Sequence, residues 1–376
     1  MRKNLRRAAT VLAAAAVASP LFITTAIAAQ PAAAPAAPAP KPAAPLKVAF
    51  VYVSPVGQAG WTFQHDQGRR ELEQARGAQV RTTVVEAVPE GADSERVMRD
   101  LAAQGHQLIF ATSFGYLEPA LRVAAEFPQV KFMHAGGYKG APNLATYNAR
   151  YYEARYLAGI LAGHSSKSGV AGYVAGFPVP EVVQGLNAFT LGMRSVNPKA
   201  EVKVVWLNAW FDPARERDAA LSLVAQGADV LTNHSGSQAV AQVAEEKGVK
   251  LLAYQSDMSA FAPKAQIGAV THHWGGYYTQ VARSVLAGTW SNQPVWAGMK
   301  AGMVKLSAVS PAVPKAVRET LAARERDIVA GRLHPFTGPL ADNTGKPRAG
   351  AGALSDEQIA RMDWLVQGVS GNLPSR

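Results

Sequence analysis

The sequence of 376 residues contains no cysteine. Disulfide bonds, thiolate metal sites, a cysteine nucleophile and a cysteine-linked lipid anchor are therefore excluded. Long apolar runs are also absent after residue 28, where no stretch reaches the roughly 20 apolar residues that a membrane-spanning helix needs. We therefore expect the folded part of the chain to be water-soluble.

Familiar catalytic motifs are missing as well. There is no GxGxxG or GxxxxGKS/T pattern to cradle a nucleotide phosphate, and neither GxSxG nor HExxH occurs. His272 and His273 are adjacent on a predicted strand, so their side chains should point to opposite faces and not bind one metal together. We expect His273 to be the one that enters a ligand cleft. The sequence thus predicts no catalytic residues, no metal site and no cofactor.

The first 45 residues have the pattern of an exported protein. Four Lys and Arg residues among the first seven precede an apolar run over 8–27, and small residues at 26 and 28 end it. This pattern predicts a secretory signal peptide, 1–28, cleaved near Ala28. A membrane anchor is the weaker alternative, because Ser19-Pro20 interrupts the run. Residues 29–45 are almost entirely Pro and Ala, which predicts an extended tether. We expect a periplasmic protein without a lipid anchor.

Charge and length bound the class of protein further. The formal net charge is +11, but Lys and Arg are scattered along the chain rather than clustered. Such scatter gives no basic stripe for a nucleic acid, so we expect a basic soluble surface and no nucleic-acid partner. About 330 residues follow the tether, a length that suggests two domains. We expect the protein to be a monomer.

Short apolar strands alternate with helical patterns throughout the folded part. The predicted strands are 46–53, 80–88, 106–113, 130–136, 169–176, 202–209, 228–235, 249–255 and 266–273. The predicted helices are 60–75, 93–105, 116–128, 152–166, 180–197, 212–227, 237–248 and 276–288. This alternation predicts an α/β fold of two doubly wound parallel-sheet domains joined by a hinge.

The alternation restarts near residue 150, so two α/β units of similar size lie in tandem and predict two domains. Because doubly wound sheets bind ligands beyond the carboxyl ends of their strands, two facing sheets predict a cleft between the domains.

Aromatic side chains follow several of the predicted strands. Trp61 follows the first strand, Phe114 the third, Trp210 the second strand of the second half, and Trp274 the strand 266–273. Flat apolar faces at a cleft suit a planar ligand, since stacking contributes about 1–3 kcal/mol per base. Sugars also use aromatic faces, and packing between domains is the plainer explanation for any single ring. Several aromatics in equivalent loops favour ligand contact.

Polar side chains with few charges lie in the same loops. Amide groups offer a donor and an acceptor side by side, and a carboxylate can accept from a ring N–H. Each residue taken singly could equally be a turn or cap residue. The candidates for reading the edge of a ligand are Gln58, Thr62, Ser113, Asn208, Gln255 and Asp257.

Four segments in order resemble one family of binding proteins. They are "YYEARYLAGILAG" (151–163), "GVAGYVAGFPVPEVVQGLNAFTLG" (169–192), "NAWFDPARERDAA" (208–220) and the tail 336–371. These segments resemble the basic membrane protein (Bmp/Med) family, the substrate-binding proteins of ABC importers. Its best understood members bind purine nucleosides. The resemblance implies the type I periplasmic-binding fold, closure about a hinge, and a permease partner in the inner membrane. In that fold the domains exchange segments through three crossovers, which we place near 144–149, 253–258 and 290–298. The N-terminal domain would then comprise 46–146 plus about 257–294, and the C-terminal domain 147–256 plus about 295–376.

The resemblance also implies roles for the candidate residues. Trp61 and Trp210 would enclose a purine ring from opposite sides. Thr62, Ser113 and Phe114 would line the edge of the base. Gln255 and Asp257 would occupy positions at which the family carries acids for ribose or ring groups.

Three positions depart from the family pattern. The acid three residues before the first aromatic is Gln58 here, the first acid of the later pair is Gln255, and His272-His273 replace a frequent lysine. Those positions serve sugar hydroxyls in nucleoside binders. We therefore hypothesise a free purine base such as adenine rather than a nucleoside. A nucleoside-processing enzyme, and a receptor for another planar ligand or a sugar, are the alternatives.

Overall fold

The structure is a computed structural model in which residues 44–374 are described. The predicted signal peptide and nearly all of the predicted tether lie outside them. The strands are β1 (Leu46–Val51), β2 (Val80–Val85), β3 (Leu108–Ala111), β4 (Lys131–Ala135), β5 (Leu144–Ala149), β6 (Val170–Ala175), β7 (Glu201–Trp206), β8 (Val230–His234), β9 (Lys250–Gln255), β10 (Gln266–His272), β11 (Val295–Ala297), β12 (Val304–Ser307), β13 (Thr337–Ala341), β14 (Pro347–Ala353) and β15 (Val369–Ser370).

The helices of the described residues connect most of these strands. They are α1 (Trp61–Arg76), α2 (Ala92–Ala103), α3 (Leu117–Glu126), α4 (Tyr151–Ser165), α5 (Pro180–Val196), α6 (Pro213–Ala225), α7 (Ala239–Lys247), α8 (Gly275–Leu286), α9 (Lys315–Val329) and α10 (Asp356–Ala360). Within residues 44–374, none of them combines the length and the apolar character that crossing a membrane requires.

Two large sheets share one strand order. The first runs β11-β5-β4-β3-β1-β2 and is entirely parallel. The second runs β12-β10-β9-β8-β6-β7-β15, and only β12 is antiparallel to its neighbour. The order of a doubly wound sheet, 2-1-3-4-5, occurs once in each. Each sheet therefore has a switch point, between β1 and β3 and between β6 and β8.

Helices cover both faces of each sheet, as a doubly wound fold requires. Alternate residues of β1 enter different cores, because Phe50 packs with Tyr278 of α8 and Val51 packs with Met98 of α2. Strands buried on both faces carry continuous apolar runs, which explains why the sequence pattern of β1 has no polar alternation. The predicted α/β fold with parallel sheets is confirmed.

One predicted crossover is misplaced. The resemblance assigns the segment 266–272 to the N-terminal domain, after a crossover at 253–258. It forms β10, which pairs in parallel with β9 of the second sheet. The chain returns to the first sheet only after β10, where α8 packs on α1. All seven residues of β10 are buried, and such a strand carries no sequence mark of the sheet that it joins. The division into two domains stays a prediction.

Helices α4 and α5 approach each other unusually closely. Their contact is made through glycine, because a β-carbon placed on Gly159 would lie 2.0 Å from the carbonyl oxygen of Phe189. A β-carbon on Gly192 would lie equally close, 2.0 Å, to the carbonyl oxygen of Tyr156. The small residues of the two helices thus let their backbones touch.

Candidate functional site

A cavity of about 490 Å³, counting the space open to solvent, lies where loops from both sheets meet. Every loop that lines it follows the carboxyl end of a parallel strand, and the switch points of both sheets contribute. The first sheet supplies Val53, Ser54, Trp61, Ser113, Phe114, Ala135 and Gly136. The second sheet supplies Glu181, Trp210, Phe211, His234, Ser235, Gly236 and Gln255.

Five of the ten predicted site residues line this cavity. They are Trp61, Ser113, Phe114, Trp210 and Gln255. Both indoles are held by their ring nitrogens: Trp61 Nε1 donates to the carbonyl oxygen of Thr112 at 2.7 Å, and Trp210 Nε1 donates to Glu90 Oε1 at 3.1 Å. The polar edge of each ring is therefore occupied by the protein.

Three predicted residues, Gln58, Thr62 and Asp257, lie outside the cavity wall. Gln58 and Asp257 are exposed. Asp257 Oδ1 accepts from the backbone N–H of Ser259 at 2.9 Å and from Gln266 Nε2 at 2.7 Å, so its carboxylate orders its own loop. Thr62 is buried and shares a 2.7 Å hydrogen bond with Ser54 Oγ. Thr62 thus positions a lining residue without lining the cavity.

His273, which was expected to enter the cleft, does not line the cavity. His273 is exposed and bonded to Thr271 Oγ1, whereas His272 is fully buried, with ring centroids 4.4 Å from Tyr151 and 5.0 Å from Tyr254. The two side chains do point to opposite faces, as predicted. The period of a strand does not reveal which face is inward, and neither ring lines the cavity.

Trp274 packs in the core behind the cavity. It is 1% exposed and stacks on His65, with ring centroids 5.0 Å apart and planes inclined by 7°. Its ring meets Trp61 edge-on at 6.3 Å. Trp274 therefore supports the indole that lines the cavity, which is the packing role that any single aromatic in these loops could have had.

Glu181 is a lining residue that sequence reasoning missed. It lies in the first turn of α5, where the helix dipole favours an anion. Asn148 Nδ2 donates to its Oε2 at 2.9 Å, and His234 Nε2 lies 3.6 Å from its Oε1. Its side chain is only 14% exposed. An acid in a first turn resembles an ordinary helix-end residue in sequence, but here it faces a cavity.

His234 is a buried neighbour of that carboxylate. Burial lowers the pKa of His234 below its ordinary value, and the positive charge of Arg155 acts in the same direction, while Glu181 opposes both. Arg155 is fully buried, donates to Thr232 Oγ1 at 2.9 Å, and holds its guanidinium 3.4 Å from the Tyr254 ring centroid. A buried cation therefore lies near the cavity.

Gln255 combines two marks of a binding residue. Its backbone is left-handed, with φ of 72°, a conformation that non-glycine residues adopt at a cost of about 1–3 kcal/mol and mostly at functional sites. Its side chain is buried, and its Oε1 has no hydrogen-bond donor among the described residues. A buried acceptor without a partner costs a further ~1–3 kcal/mol, which a ligand donor would recover.

Glu90, also missed by sequence reasoning, joins loops from the two sheets. Its Oε1 accepts from Ser113 Oγ at 2.6 Å, from the backbone N–H of Gly115 at 2.8 Å, and from Trp210 Nε1 at 3.1 Å. Two of these donors belong to the first sheet and the third belongs to the second. The carboxylate thus holds both aromatic loops, 113–116 and 208–212, in one arrangement.

A second junction lies at two glycines. Gly60 has φ of 96°, and a β-carbon there would lie 2.1 Å from the carbonyl oxygen of Gly236. Its backbone N–H donates to Ser256 Oγ at 2.8 Å. The loop after β1 therefore touches the loops after β8 and β9, and the cavity is bounded on both sides.

Within residues 44–374, no cluster of His, Asp or Glu could hold a metal ion.

The chain matches one protein-family model over most of its described residues. The model described as ABC transporter substrate-binding protein PnrA-like matches residues 46–333. The chain belongs to this Bmp family. The resemblance inferred from four sequence segments is confirmed, and the family is one of substrate-binding proteins that work with ABC transporters.

Two relatives agree with that membership, and a solved structure shares the fold. A purine-binding protein of Brucella abortus (strain 2308) is 49% identical over 330 residues, which cover 88% of this chain and 94% of the relative. A Haloferax volcanii protein, named a candidate ABC transporter glucose-binding protein, is 36% identical over 331 residues, 88% of this chain and 82% of its own. A solute-binding protein from Aeropyrum pernix K1 superposes with a TM-score of 0.66 at 17% identity, covering 84% and 95% of the two chains.

Proposed function

We propose that this Bmp-family protein captures a free purine base, adenine or a close analogue, and delivers it to the permease of an ABC importer. The observation that carries the proposal is the pair of indoles, Trp61 and Trp210, which line one cavity from loops of different sheets. A planar ring between them would stack on both faces. The name of the Brucella relative, a purine-binding protein at 49% identity, supports the same class of ligand.

The surroundings of the cavity favour a base over a nucleoside. Ribose binding would call for polar groups at positions 58, 255 and 257, where the family carries acids. Gln58 is exposed outside the cavity, and Asp257 accepts hydrogen bonds from Ser259 and Gln266 through Oδ1. Gln255 alone faces the cavity, and it carries no charge. The cavity therefore has no carboxylate from positions 58, 255 or 257, and its lining acid is Glu181.

We also propose that the protein is exported, acts as a monomer and is not an enzyme. The basic start and apolar run of residues 1–28 support export. Membership of a family of substrate-binding proteins supports the absence of catalysis. Native mass spectrometry of protein from the periplasmic fraction tests these points together. We expect one monomer that begins near residue 29 and retains a purine base. A retained nucleoside, or hydrolysis of added adenosine, would contradict the proposal.

Calorimetry on ligand-stripped protein tests the ligand directly. The panel contains adenine, adenosine, guanosine, riboflavin and glucose. Trp61→Ala and Trp210→Ala should each weaken adenine binding by roughly 5- to 150-fold, because one stacked face contributes about 1–3 kcal/mol. Trp290→Ala is the matched control, since Trp290 packs on Met133 and Lys131 and does not line the cavity.

Two results of the calorimetry would contradict the proposal. Nucleosides that bind far more tightly than bases would overturn the free-base assignment. Glucose binding without purine binding would favour the second candidate function, a sugar receptor, which the name of the Haloferax relative supports. Aromatic walls suit the apolar face of a sugar as well as a base, so the panel separates the two classes by chemistry rather than by shape.

A further inference from the structure

The side chains that line the cavity include acceptors that could receive N–H groups of a ligand. Most hydroxyl groups in the wall already have partners: Ser113 Oγ donates to Glu90, Ser235 Oγ donates to Glu216, and Ser54 Oγ is bonded to Thr62. Two side chains keep an acceptor without a protein donor at hydrogen-bond distance. They are Glu181, through Oε1, and Gln255, whose Oε1 is buried.

Glu181 is held as a single, oriented acceptor. Asn148 Nδ2 fixes its Oε2, and Gly136 stands against the same oxygen, since a β-carbon there would lie 3.2 Å from it. His234 Nε2 lies 3.6 Å from Oε1, beyond direct hydrogen-bond distance. No Lys or Arg of the described residues forms an ion pair with this carboxylate within 4 Å. Its charge is therefore available to a ligand.

These two acceptors require a ligand with two N–H donors on different edges. A free 6-aminopurine has both, the N–H of its imidazole ring and its exocyclic amino group. The ring N–H is the more acidic donor, and hydrogen bonds to a charged acceptor are the strong ones. A nucleoside has lost that ring N–H, because the sugar is attached to the same nitrogen.

We propose that Glu181 accepts the imidazole N–H of the free base while Gln255 accepts its exocyclic amino group, so that Glu181 is the residue that discriminates bases from nucleosides. Asn148, Gly136 and His234 flank the carboxylate and fix its position. A nucleoside would lack the N–H group that this carboxylate is proposed to accept. This inference rests on the proposed purine-base function and names the residue that would give the selectivity for a free base.

The test compares ligands that differ in one donor. Calorimetry measures adenine, 9-methyladenine, unsubstituted purine and adenosine against the wild-type chain and Glu181→Gln. Wild type should bind 9-methyladenine about 10- to 100-fold more weakly than adenine, because a hydrogen bond to a charged group is lost. Unsubstituted purine should bind about 2- to 10-fold more weakly than adenine, because it lacks the amino group that would donate to the neutral Gln255 acceptor.

Glu181→Gln should lower adenine affinity by about 10- to 100-fold and leave 9-methyladenine affinity within about threefold, because that ligand never used the carboxylate. Glu118→Gln is the matched control, since Glu118 pairs with Lys139 at the surface and does not line the cavity. Thermal unfolding of each variant checks that it folds. Asn148→Ala, which keeps the carboxylate but releases it, should weaken adenine more than 9-methyladenine.

Four results overturn the inference. Equal binding of adenine and 9-methyladenine by wild type would show that the ring N–H is not used. An equal loss of both ligands in Glu181→Gln would show a general effect on the cavity. Tight adenine binding that Glu181→Gln leaves unchanged would reject this inference alone. A wild-type chain that binds no purine would reject the proposed function together with it.

Discussion

Trp210 owes the orientation of its ring to a residue attached to the other sheet. Its Nε1 donates to Glu90, and the same carboxylate oxygen also holds Ser113 and the backbone of Gly115. Removing the Glu90 side chain would release the indole and the loop that carries Phe114 at once. Glu90 is thus a positioning residue for both aromatic walls, although it does not line the cavity itself.

Glu90→Ala should weaken adenine binding by about 3- to 10-fold, since oriented hydrogen bonds contribute modestly to net stability. Glu90→Gln keeps one acceptor oxygen and should retain most of the affinity, while Glu319→Ala, on the exposed surface of α9, should have no effect. Calorimetry provides the affinities. If the Gln variant loses as much as the Ala variant, orientation of Trp210 is not the cause.

Individual residues of the site were only partly predictable. Trp61 and Trp210 could be placed because large aromatics directly after predicted strands are conspicuous. Glu181 could not, because an acid in the first turn of a helix is also what helix ends favour. The preference for His273 over His272 failed because alternation says that neighbours face opposite sides without saying which side is inside. Burial, which decides that question, depends on the neighbouring elements.

At the scale of elements, the contact between helices α4 and α5 leaves no room for a side chain on Gly159. A β-carbon on Gly159 would meet three backbone atoms, the carbonyl oxygen and carbon of Phe189 and the nitrogen of Met193, at 2.0, 2.8 and 2.9 Å. Backbone atoms inside a helix cannot turn away as a flexible side chain can. The two helices would have to separate before any larger residue fitted.

Gly159→Ala should therefore destabilise the protein by about 1–3 kcal/mol, in the range of overpacked cores, and lower its Tm. Gly276→Ala is the matched control, because Gly276 lies in α8 and a β-carbon added there would have no atom within 4 Å. Alanine there should be neutral or stabilising by up to ~1 kcal/mol. Thermal unfolding compares the two, and equal Tm values would contradict the close helix contact.

Most elements could be predicted, but their grouping could not. The helix expected at 152–166 is α4 at Tyr151–Ser165, and the strand expected at 228–235 contains β8 at Val230–His234. Strand β10 lies at nearly the predicted residues but belongs to the other half. Apolar periodicity is a local property, whereas the choice of sheet depends on partners far along the chain. The β13–β14 hairpin, in a segment rich in Gly and Pro, was missed altogether.

At the scale of the whole molecule, buried histidines couple stability to pH. Burial lowers the pKa of His65 and of His134 to about 3, below the value of about 6.5 of an unfolded chain. Between these values the unfolded chain binds protons that the native protein does not. The free energy of unfolding is therefore unaffected by these groups well above pH 6.5 and falls as the pH drops from 6.5 towards 3.

Each such histidine should contribute a slope of up to about 1.4 kcal/mol per pH unit. Urea unfolding between pH 7.5 and pH 5.0 measures this slope before carboxylates dominate. His65→Gln can still hydrogen-bond the Tyr278 hydroxyl. This variant should reduce the slope by up to about 1.4 kcal/mol per pH unit, the contribution of one histidine. His164→Gln, at an exposed position of α4, should leave it unchanged. A slope that is the same in all three chains would show that His65 titrates normally in the native protein.

The contact between Gly60 and Gly236 carries a kinetic consequence. Loops from the two sheets meet there at backbone distance, and Glu90 joins them again through Trp210. We expect a ligand between the indoles to leave only when both junctions part. Its residence time would then be set by the opening rate of the protein, and its arrival would be slower than free diffusion allows. The contact between these two glycines, which leaves no room for a side chain, would thus help to set the rate at which the ligand is released to the transporter.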